Sequence, residues 1–406
     1  MWHGRDRKAA VLGAAVAAMV LSLGCPGVEY VTWVKTYGAV GVDELPGLTR
    51  THDGGFLLGG TTDSAGAGGR DFYIVKTDNL GNEVWSNTFG GILREDGEPV
   101  LETPDGGFLI AGFTTTFGAG DTDMYLVKTD AAGNKDWSRT YGGPEGEKVF
   151  DIESAFDGGF ALGGYTESFG AGQTDMYLVK TNRKGRAQWS KTYGWSTDER
   201  AYGMDQCATG GYFLAGNSIR ADAVHMDIYV VRTDADGVEI WGETYDAGGS
   251  ATASAVTETS NGGCLVTGRT YDYDVGEYDI YVLKLDADDD TEWSRILGGA
   301  YDDRAYAGHE TADGGYIVVG TSEDRTCTKN DMYIAKLDPT GAPVWSTMIG
   351  GPENDTPFNV LELPEGGYVV AGSTESFGAG LSDGIFIRIT PSGRAPSFYE
   401  LEHTMF

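Results

Sequence analysis

Three observations predict an all-β fold, a seven-bladed β-propeller of four-stranded antiparallel blades. First, a turn residue followed by Gly-Gly recurs at intervals of 52 residues, and such fixed self-similarity indicates a repeat architecture. Second, each repeat contains four short strand patterns, and no segment has the periodicity of a helix. Third, the third strand is apolar on both faces, so both must be covered, as they are in a ring of stacked sheets. A linear solenoid is the alternative, but it would need polar end caps that the chain lacks.

The period and the strands can be located residue by residue. The residues that precede the Gly-Gly pairs are Asp53, Asp105, Asp157, Thr209, Asn261, Asp313 and Glu365. In the second repeat, strands rich in Val, Ile, Leu, Tyr and Phe are predicted at 98–103, 108–114, 123–129 and 135–141. The segments between the first two and the last two strands carry the Pro, Asp and Gly residues of tight turns.

A tryptophan on the fourth strand predicts how the ring closes. The last repeat has Ser397 in its place, whereas an additional tryptophan, Trp33, precedes the first complete repeat. We therefore expect residues 32–38 to form the outer strand of the seventh blade beside residues 385–390, because a closed ring removes exposed sheet edges. The competing assignment gives this place to residues 395–401. The predicted structural tryptophans are Trp33, Trp85, Trp137, Trp189, Trp241, Trp293 and Trp345.

The N-terminus predicts export. Three basic residues precede an apolar run from Ala9 to Gly24, which is typical of a signal peptide. The run Leu21 to Cys25 resembles a bacterial lipobox, and the resemblance implies that Cys25 becomes the lipidated first residue of the mature protein. The predicted organisation is a signal peptide at 1–24, a tether at 25–29 and one propeller domain at 30–406. We expect an outer-membrane or cell-surface lipoprotein or, without the lipid, a secreted or periplasmic protein.

The net charge limits the classes of possible partner, and the cysteine spacing limits the kinds of metal site and disulfide. The formal net charge of −32 excludes nucleic acid as a partner, because the field repels phosphate groups. Contact with a membrane is expected only through the lipid anchor, and the protein is expected to be a monomer. Cys207, Cys264 and Cys327 lack the CxxC spacing of a zinc site. Export permits a disulfide, and Cys207 and Cys264 are predicted on inner strands of adjacent repeats, but the pairing stays open.

A repeated motif carries a resemblance to known propellers. The run Lys-Thr-Asp-x-x-Gly-x-x-x-Trp occurs with the same spacing at Lys76 to Trp85 and at Lys128 to Trp137. It resembles the tryptophan-docking repeat of quinoprotein-type propellers, and residues 30–390 resemble the repeats of exported bacterial and archaeal propeller proteins with DGGF, YLVKTD, GN and Trp in this order. The resemblance implies the fold and no particular activity. Quinoprotein dehydrogenases have eight blades and a vicinal cysteine pair, and this chain has neither.

The loops between the second and third strands are predicted to emerge on one face of the ring, the loop face, together with the loops that enter the inner strands. Loops on a rigid scaffold usually carry function. Four of them, the glycine loops, read alike at 65–68, 117–120, 169–172 and 377–380. The loops of blades 4 to 6 break this pattern, and we expect them to form a binding patch. The candidate binding residues are Arg220, His225, Tyr271, Tyr273, Arg325 and Lys329.

Two series of acids recur with the repeat. An aspartate opens the third strand in all seven blades and is predicted to cap a turn. An acid also begins the inner strand in six blades, and these side chains are expected to ring the channel mouth, where like charges raise pKa values unless cations screen them. This arrangement predicts calcium or a basic peptide there, and no other cofactor is predicted. The acids of the expected ring are Asp43, Glu95, Glu147, Glu199, Asp303 and Asp355.

Catalytic motifs are absent from the sequence. It contains no Gly-x-Ser-x-Gly elbow and no His-Glu-x-x-His, and its Gly-x-Gly runs precede strands, not helices. The leading hypothesis is a non-catalytic, surface-displayed binding or scaffold propeller that engages a protein, peptide or glycan through its loop face. The alternative is an exported propeller enzyme, a hydrolase or a quinone-type oxidoreductase, that uses carboxylates at the channel mouth.

Overall fold

The computed structural model describes residues 32–219, 225–273, 276–299, 301–323 and 329–395, which form 28 strands in seven four-stranded antiparallel sheets. This confirms the predicted seven-bladed β-propeller. The described residues include no helix that is long and apolar enough to cross a membrane. The predicted signal peptide, Cys25, Cys327 and the candidate binding residues Arg220 and Arg325 lie outside the described residues.

The strands follow the chain from the inner to the outer edge of each blade, and β1 (Trp33–Tyr37) completes blade 7. Blades 1 to 3 comprise β2 (Asp43–Arg50), β3 (Phe56–Thr62), β4 (Asp71–Thr77), β5 (Glu83–Phe89); β6 (Glu95–Glu102), β7 (Phe108–Thr114), β8 (Asp123–Thr129), β9 (Lys135–Tyr141); and β10 (Glu147–Ser154), β11 (Phe160–Thr166), β12 (Asp175–Thr181), β13 (Ala187–Tyr193). Blades 4 and 5 comprise β14 (Asp198–Gln206), β15 (Tyr212–Ile219), β16 (Asp227–Thr233), β17 (Glu239–Tyr245); and β18 (Ala251–Glu258), β19 (Cys264–Asp272), β20 (Glu277–Leu285), β21 (Thr291–Leu297). Blades 6 and 7 comprise β22 (Asp303–Glu310), β23 (Tyr316–Glu323), β24 (Asn330–Leu337), β25 (Pro343–Ile349); and β26 (Asp355–Glu362), β27 (Tyr368–Thr374), β28 (Asp383–Ile389).

The N-terminal strand closes the ring as predicted. Strand β1 pairs antiparallel with β28, with Trp33 opposite Arg388 and Tyr37 opposite Gly384. The Trp33 side chain is 2% exposed, and its ring lies 4.9 Å from that of Phe386. Strand β1 thus occupies the edge that the competing assignment gave to residues 395–401.

Six of the seven fourth-strand tryptophans pack against a turn glycine of the next blade. A Cβ atom placed on Gly133 would lie 2.7 Å from Cζ3 of Trp85, so the ring needs glycine at this turn. A tyrosine often reinforces the contact, as when Tyr141 donates its hydroxyl proton to the carbonyl of Gly185 at 2.7 Å. The equivalent turn residue is glycine in six blades, with φ between 65° and 80°, and Asp289 in blade 5, with φ 68°. The six glycines are Gly81, Gly133, Gly185, Gly237, Gly341 and Gly393.

The apolar core lies between adjacent sheets. Strands β4, β8 and β12 are buried along their whole length because each is covered by a blade on either side. Within a blade the inner strand is held close to the second strand: a Cβ on Gly112 would lie 1.9 Å from the carbonyl oxygen of Asp96. This tight packing fixes the inner strands, and with them the walls of the axial channel.

The two described cysteines do not occupy equivalent places. Cys207 directly follows β14, the inner strand of blade 4, whereas Cys264 begins β19, the second strand of blade 5. The prediction of inner strands for both is therefore wrong for Cys264, because it follows the Gly-Gly pair that ends the first hairpin. Both are free and buried, and burial raises the pKa of the Cys207 thiol to about 12.

Candidate functional site

The glycine loops of the loop face are fastened to their own blades. Asp123, at the start of β8, accepts hydrogen bonds from the backbone N–H groups of Ala119 and Gly120 at 2.9 and 3.0 Å. Gly118 makes this turn possible with φ 106°. Asp71, Asp175 and Asp383 accept equivalent bonds in blades 1, 3 and 7. The turn-capping prediction is confirmed for these four aspartates.

The acids that begin the inner strands are also fastened inside the blades. Glu95 accepts hydrogen bonds from the Gly91 N–H group at 2.6 Å and from the Thr114 hydroxyl at 2.7 Å. Each of the six is at most 1% exposed: Asp43, Glu95, Glu147, Glu199, Asp303 and Asp355. The expectation that they ring the channel mouth is therefore wrong, because their carboxylates hold the loops that enter the inner strands.

The axial channel is instead lined by the residue that follows each acid. Successive side chains of a strand point to opposite sides, so a shift of one residue exchanges the buried and the channel-facing sets. Glu44, Asp96 and Arg304 line the channel at its loop-face end, here called the mouth. Lys148 and Arg200 hold the same strand position in blades 3 and 4. The mouth is therefore mixed in charge, not uniformly acidic.

The channel has a volume of about 830 Å³ and changes in character along the axis. Below the mouth lies an aromatic belt in which Phe150 and Tyr202 pack edge to face at 5.2 Å, as do Tyr306 and Phe358. The far end is polar on blades 3 to 6 and apolar at Leu101 and Leu361. It includes Glu153, Asp205, Thr257 and His309.

Several channel carboxylates are held in a poorly solvated setting. Burial, followed by the charges of Asp96 and Glu44, raises the pKa of Glu98 to about 7. Burial also raises the pKa of Asp151 to about 7 and that of Asp205 to about 6. The pKa of Glu153 is raised well above its usual value by burial and by both of these aspartates. A fraction of these groups is therefore protonated at neutral pH.

Blade 5 projects from the loop face. Strands β19 and β20 have nine residues each, where the equivalent strands of blades 1 to 3 have seven, and their pairing continues to Asp272 and Glu277. Tyr271 lies at 5.0 Å from Tyr273 and 4.9 Å from Tyr278, measured between ring centroids. Tyr273 is 60% exposed. The hairpin thus carries a cluster of three tyrosines, of which sequence reasoning found two.

The structure brings some of the candidate binding residues together. The His225 ring of blade 4 lies 6.3 Å from that of Tyr273, so it joins the tyrosine cluster. Lys329 instead forms an ion pair with Glu353 at 2.8 Å.

One group in the described chain has a spacing that could hold a metal ion. The ligand atoms of His225, Asp227 and Asp246 lie within 4.8 Å of one another. Two carboxylates and an imidazole suit a transition metal better than calcium, which takes six to eight oxygen ligands. The expected calcium therefore stays a prediction.

Comparisons with known proteins identify the fold. No protein-family model matches the chain, and no curated protein matches it significantly. BBS1N, solved in complex with ARL6DN, matches with a TM-score of 0.50 and 9% identity over 88% of this chain and 95% of that one. Puromycin hydrolase matches with a TM-score of 0.50 and 14% identity over 80% of this chain and 50% of that one. YCF48 bound to D1 peptide matches with a TM-score of 0.48 and 10% identity over 90% and 99%. At these identities the likeness concerns the fold alone.

Proposed function

We propose that this protein is a non-catalytic binding propeller that engages a partner protein or peptide through the loop face of blades 4 and 5. The observation that carries the proposal is the projecting hairpin of blade 5, whose Tyr271, Tyr273 and Tyr278 form one cluster with His225 of blade 4. Tyrosines supply large, rigid contact area with a polar tip, and they are enriched in the centres of protein interfaces.

The contrast with the glycine loops supports this assignment. Those loops are held against their blades by hydrogen bonds to Asp71, Asp123, Asp175 and Asp383. Two of these loops expose a single phenylalanine, Phe117 or Phe169, which lies against a tyrosine of its own blade. The blade 5 hairpin lies on the same face and instead presents three tyrosines in one cluster. A glycan partner would also stack on tyrosines, and it is the outcome to distinguish in the test.

The proposed setting is the cell envelope. We propose that export removes residues 1–24 and that the lipidated Cys25 anchors the propeller, which acts there as a monomer. Mass spectrometry of the mature N-terminus tests this: we expect a lipid-modified Cys25 in the native chain and an unmodified, released protein for Cys25→Ser. A mature chain that begins at another residue would contradict the lipid anchor, but it would not bear on the proposed binding face.

Site-specific photo-crosslinking tests the binding face. A photoreactive amino acid is placed at Tyr273 and, as a matched control, at Phe156, an aromatic residue that is 72% exposed on the opposite face of blade 3. In a native envelope fraction we expect a discrete polypeptide adduct from position 273 only, and its loss in Tyr271→Ala. An adduct that a glycosidase removes would show a glycan instead. Equal adducts from both positions would contradict the proposal.

One observation favours the enzymatic alternative. Carboxyl groups with raised pKa values inside a cavity are typical of acid catalysts, and Asp151, Glu153 and Asp205 share the far end of the channel. If a hydrolytic activity is found and Asp205→Asn abolishes it while thermal melting is unchanged, the alternative replaces the binding proposal.

A further inference from the structure

The mouth of the axial channel carries a group of cations on blades 3 to 6 that stands out in a protein of net charge −32. Arg304 lines the mouth, and Lys148 and Arg200 occupy its strand position in blades 3 and 4. Arg269 lies directly across from Thr252, the residue of blade 5 at this same position. We call Arg200, Arg269 and Arg304 the mouth arginines.

The repeat shows why Arg269 is unusual. In blades 2 and 3 the position equivalent to Arg269 is aromatic, and its ring receives the cation of the next blade. The Lys148 ammonium lies 4.4 Å from the Phe113 ring, and the Arg200 guanidinium 5.3 Å from the Tyr165 ring. In blade 5 this ring is replaced by Arg269 itself. The charge of Arg304 therefore acts directly on Arg269, and each guanidinium group lies over a tyrosine of its own blade, Arg269 over Tyr278 at 4.1 Å and Arg304 over Tyr306 at 4.7 Å.

These charges are not neutralised within the described part of the chain. Arg70 forms ion pairs with Glu44 and Asp96, and Arg94 with Asp96. None of the mouth arginines forms an ion pair with a described carboxylate. The Nε atoms of Arg200 and Arg304 are buried and lack a hydrogen-bond partner among the described residues. Burial and then the charge of Arg304 lower the pKa of Arg269. The positive charges of the mouth arginines therefore lack a compensating anion.

The surroundings of the mouth arginines define the chemistry of that anion. Below them lies the aromatic belt of Phe150, Tyr202, Tyr306 and Phe358, and deeper in the channel are acids that would repel a second negative charge. A ligand that fits has one carboxylate next to an apolar group. Arginine suits a carboxylate because its planar fork donates two parallel hydrogen bonds.

A continuous surface connects the mouth with the projecting hairpin. Contacts run from Tyr273 to Tyr271 at 5.0 Å, from Tyr271 to Tyr278 at 4.9 Å, and from Tyr278 to the guanidinium of Arg269 at 4.1 Å. A peptide chain that crosses the tyrosines would end at the mouth arginines. We propose that the mouth binds the C-terminal carboxylate of a partner polypeptide whose last side chain is apolar. This inference rests on the proposed function, because it assigns the chemistry of the partner.

Paired peptides test the inference. Pools of N-acetylated pentapeptides that end in Phe or Leu are prepared with a free C-terminal carboxylate and as C-terminal amides, and binding is measured by calorimetry. We expect the acids to bind at least about tenfold more tightly than the amides, because hydrogen bonds from a guanidinium group to a charged carboxylate are stronger than those to a neutral amide. Arg269→Gln and Arg304→Gln should remove this preference. Equal binding of acids and amides, or no binding of either, would overturn the inference.

A matched control separates a specific role from a general effect of charge. Arg94→Gln removes a cation from the same mouth, but Arg94 is already paired with Asp96, so we expect this variant to keep the preference for acids. If all three variants lose the preference for acids equally, then the preference comes from the overall positive charge of the mouth, and the assignment to Arg269 and Arg304 is overturned. The outcome is distinguishable from failure of the proposed function: crosslinking from Tyr273 that survives Arg269→Gln and Arg304→Gln would refute only the carboxylate site.

Discussion

The third-strand aspartate is held differently in a blade with a glycine loop and in blade 5: Asp123 accepts hydrogen bonds from its loop, whereas Asp279 accepts none from the described residues. Asp123 and Glu95, which recur with the repeat, accept backbone hydrogen bonds. Asp279, the blade 5 equivalent of Asp123, has its pKa raised by burial and by the charges of Asp303 and Asp272. The mouth arginines likewise lack carboxylate partners in the described chain. The residues that recur with the repeat, here called the periodic frame, therefore fasten the loops, and the positions where blade 5 and the mouth depart from it are available for a ligand.

Removal of the closing strand should have the largest effect. Deletion of residues 25–40 removes β1, which exposes the edge of β28 and the core around Phe386. We expect loss of the folded monomer, because loss of Trp33 alone should cost about 3–5 kcal/mol. Deletion of residues 25–31 leaves β1 intact and is the control. Size-exclusion chromatography and thermal melting measure the outcome, and an equally stable monomer after the longer deletion would refute the closure.

Paired substitutions of the third-strand aspartate address the comparison directly. Asp123→Ala removes the acceptor of two loop N–H groups and should lower the free energy of unfolding by about 2 kcal/mol or more. Asp279→Ala removes a carboxyl group whose ionised form is disfavoured, so we expect no loss of stability. Urea denaturation of both variants gives the two values. Equal losses of unfolding free energy would show that Asp279 stabilises blade 5 as Asp123 stabilises blade 2.

The pH dependence of stability should report the channel carboxylates. Their pKa values are higher in the folded than in the unfolded state, with Asp151 and Glu98 at about 7 and Asp205 at about 6. The folded protein thus binds protons more tightly, and stability falls as pH rises from about 4 to about 7. We expect a loss on the order of 2 kcal/mol over this range, reduced in Asp151→Asn.

Asp105, which recurs with the repeat and has a lowered pKa, provides a control for this pH effect. Asp105 accepts hydrogen bonds from the Thr103 hydroxyl and the Gly107 N–H group, and its pKa is lowered by Thr103 and then by Lys128. Asp105→Asn should therefore lower stability by a constant amount above about pH 4, and its difference from the native chain should shrink only as pH falls below about 4. If Asp151→Asn shows the same profile as Asp105→Asn, the channel carboxylates do not have raised pKa values.

The periodic frame could be predicted from the sequence because its signals recur seven times. The period, the strands, the closing strand and the capping role of Asp123 all follow from residues repeated at equivalent positions. The error over Glu95 and its equivalents has a physical cause: a strand's side chains alternate, and the sequence does not show which of two adjacent residues faces the axis. A shift of one residue moved the expected acidic ring from the channel into the blades.

The mouth arginines were missed although the sequence contained a signal. When the repeats are aligned, Arg269 falls in the column of Phe113 and Tyr165. Its importance depends on the next blade, because only the assembled ring brings Arg269 close to Arg304. Contacts between repeats cannot be inferred from one repeat, and the same holds for the path from Tyr273 to Arg269. Sequence reasoning found Tyr271 and Tyr273 only because their loop departs from the pattern of the others.

The smallest effect is expected at Asp289, where the frame itself departs from its pattern. Asp289 has φ 68° at a turn where the other six blades have glycine, and it is the only non-glycine residue with positive φ in the described chain. Asp289→Gly should stabilise the protein by about 0.5–1 kcal/mol, because an L-residue in this region is strained by roughly 1–2 kcal/mol and the greater freedom of unfolded glycine offsets part of the gain. The reverse change, Gly237→Asp, should destabilise by more, since a Cβ there would lie 2.7 Å from the ring of Trp189. If denaturation shows that Asp289→Gly is destabilising, then the aspartate makes a contribution of its own to blade 5, and the departure belongs with the variable positions and not with the frame.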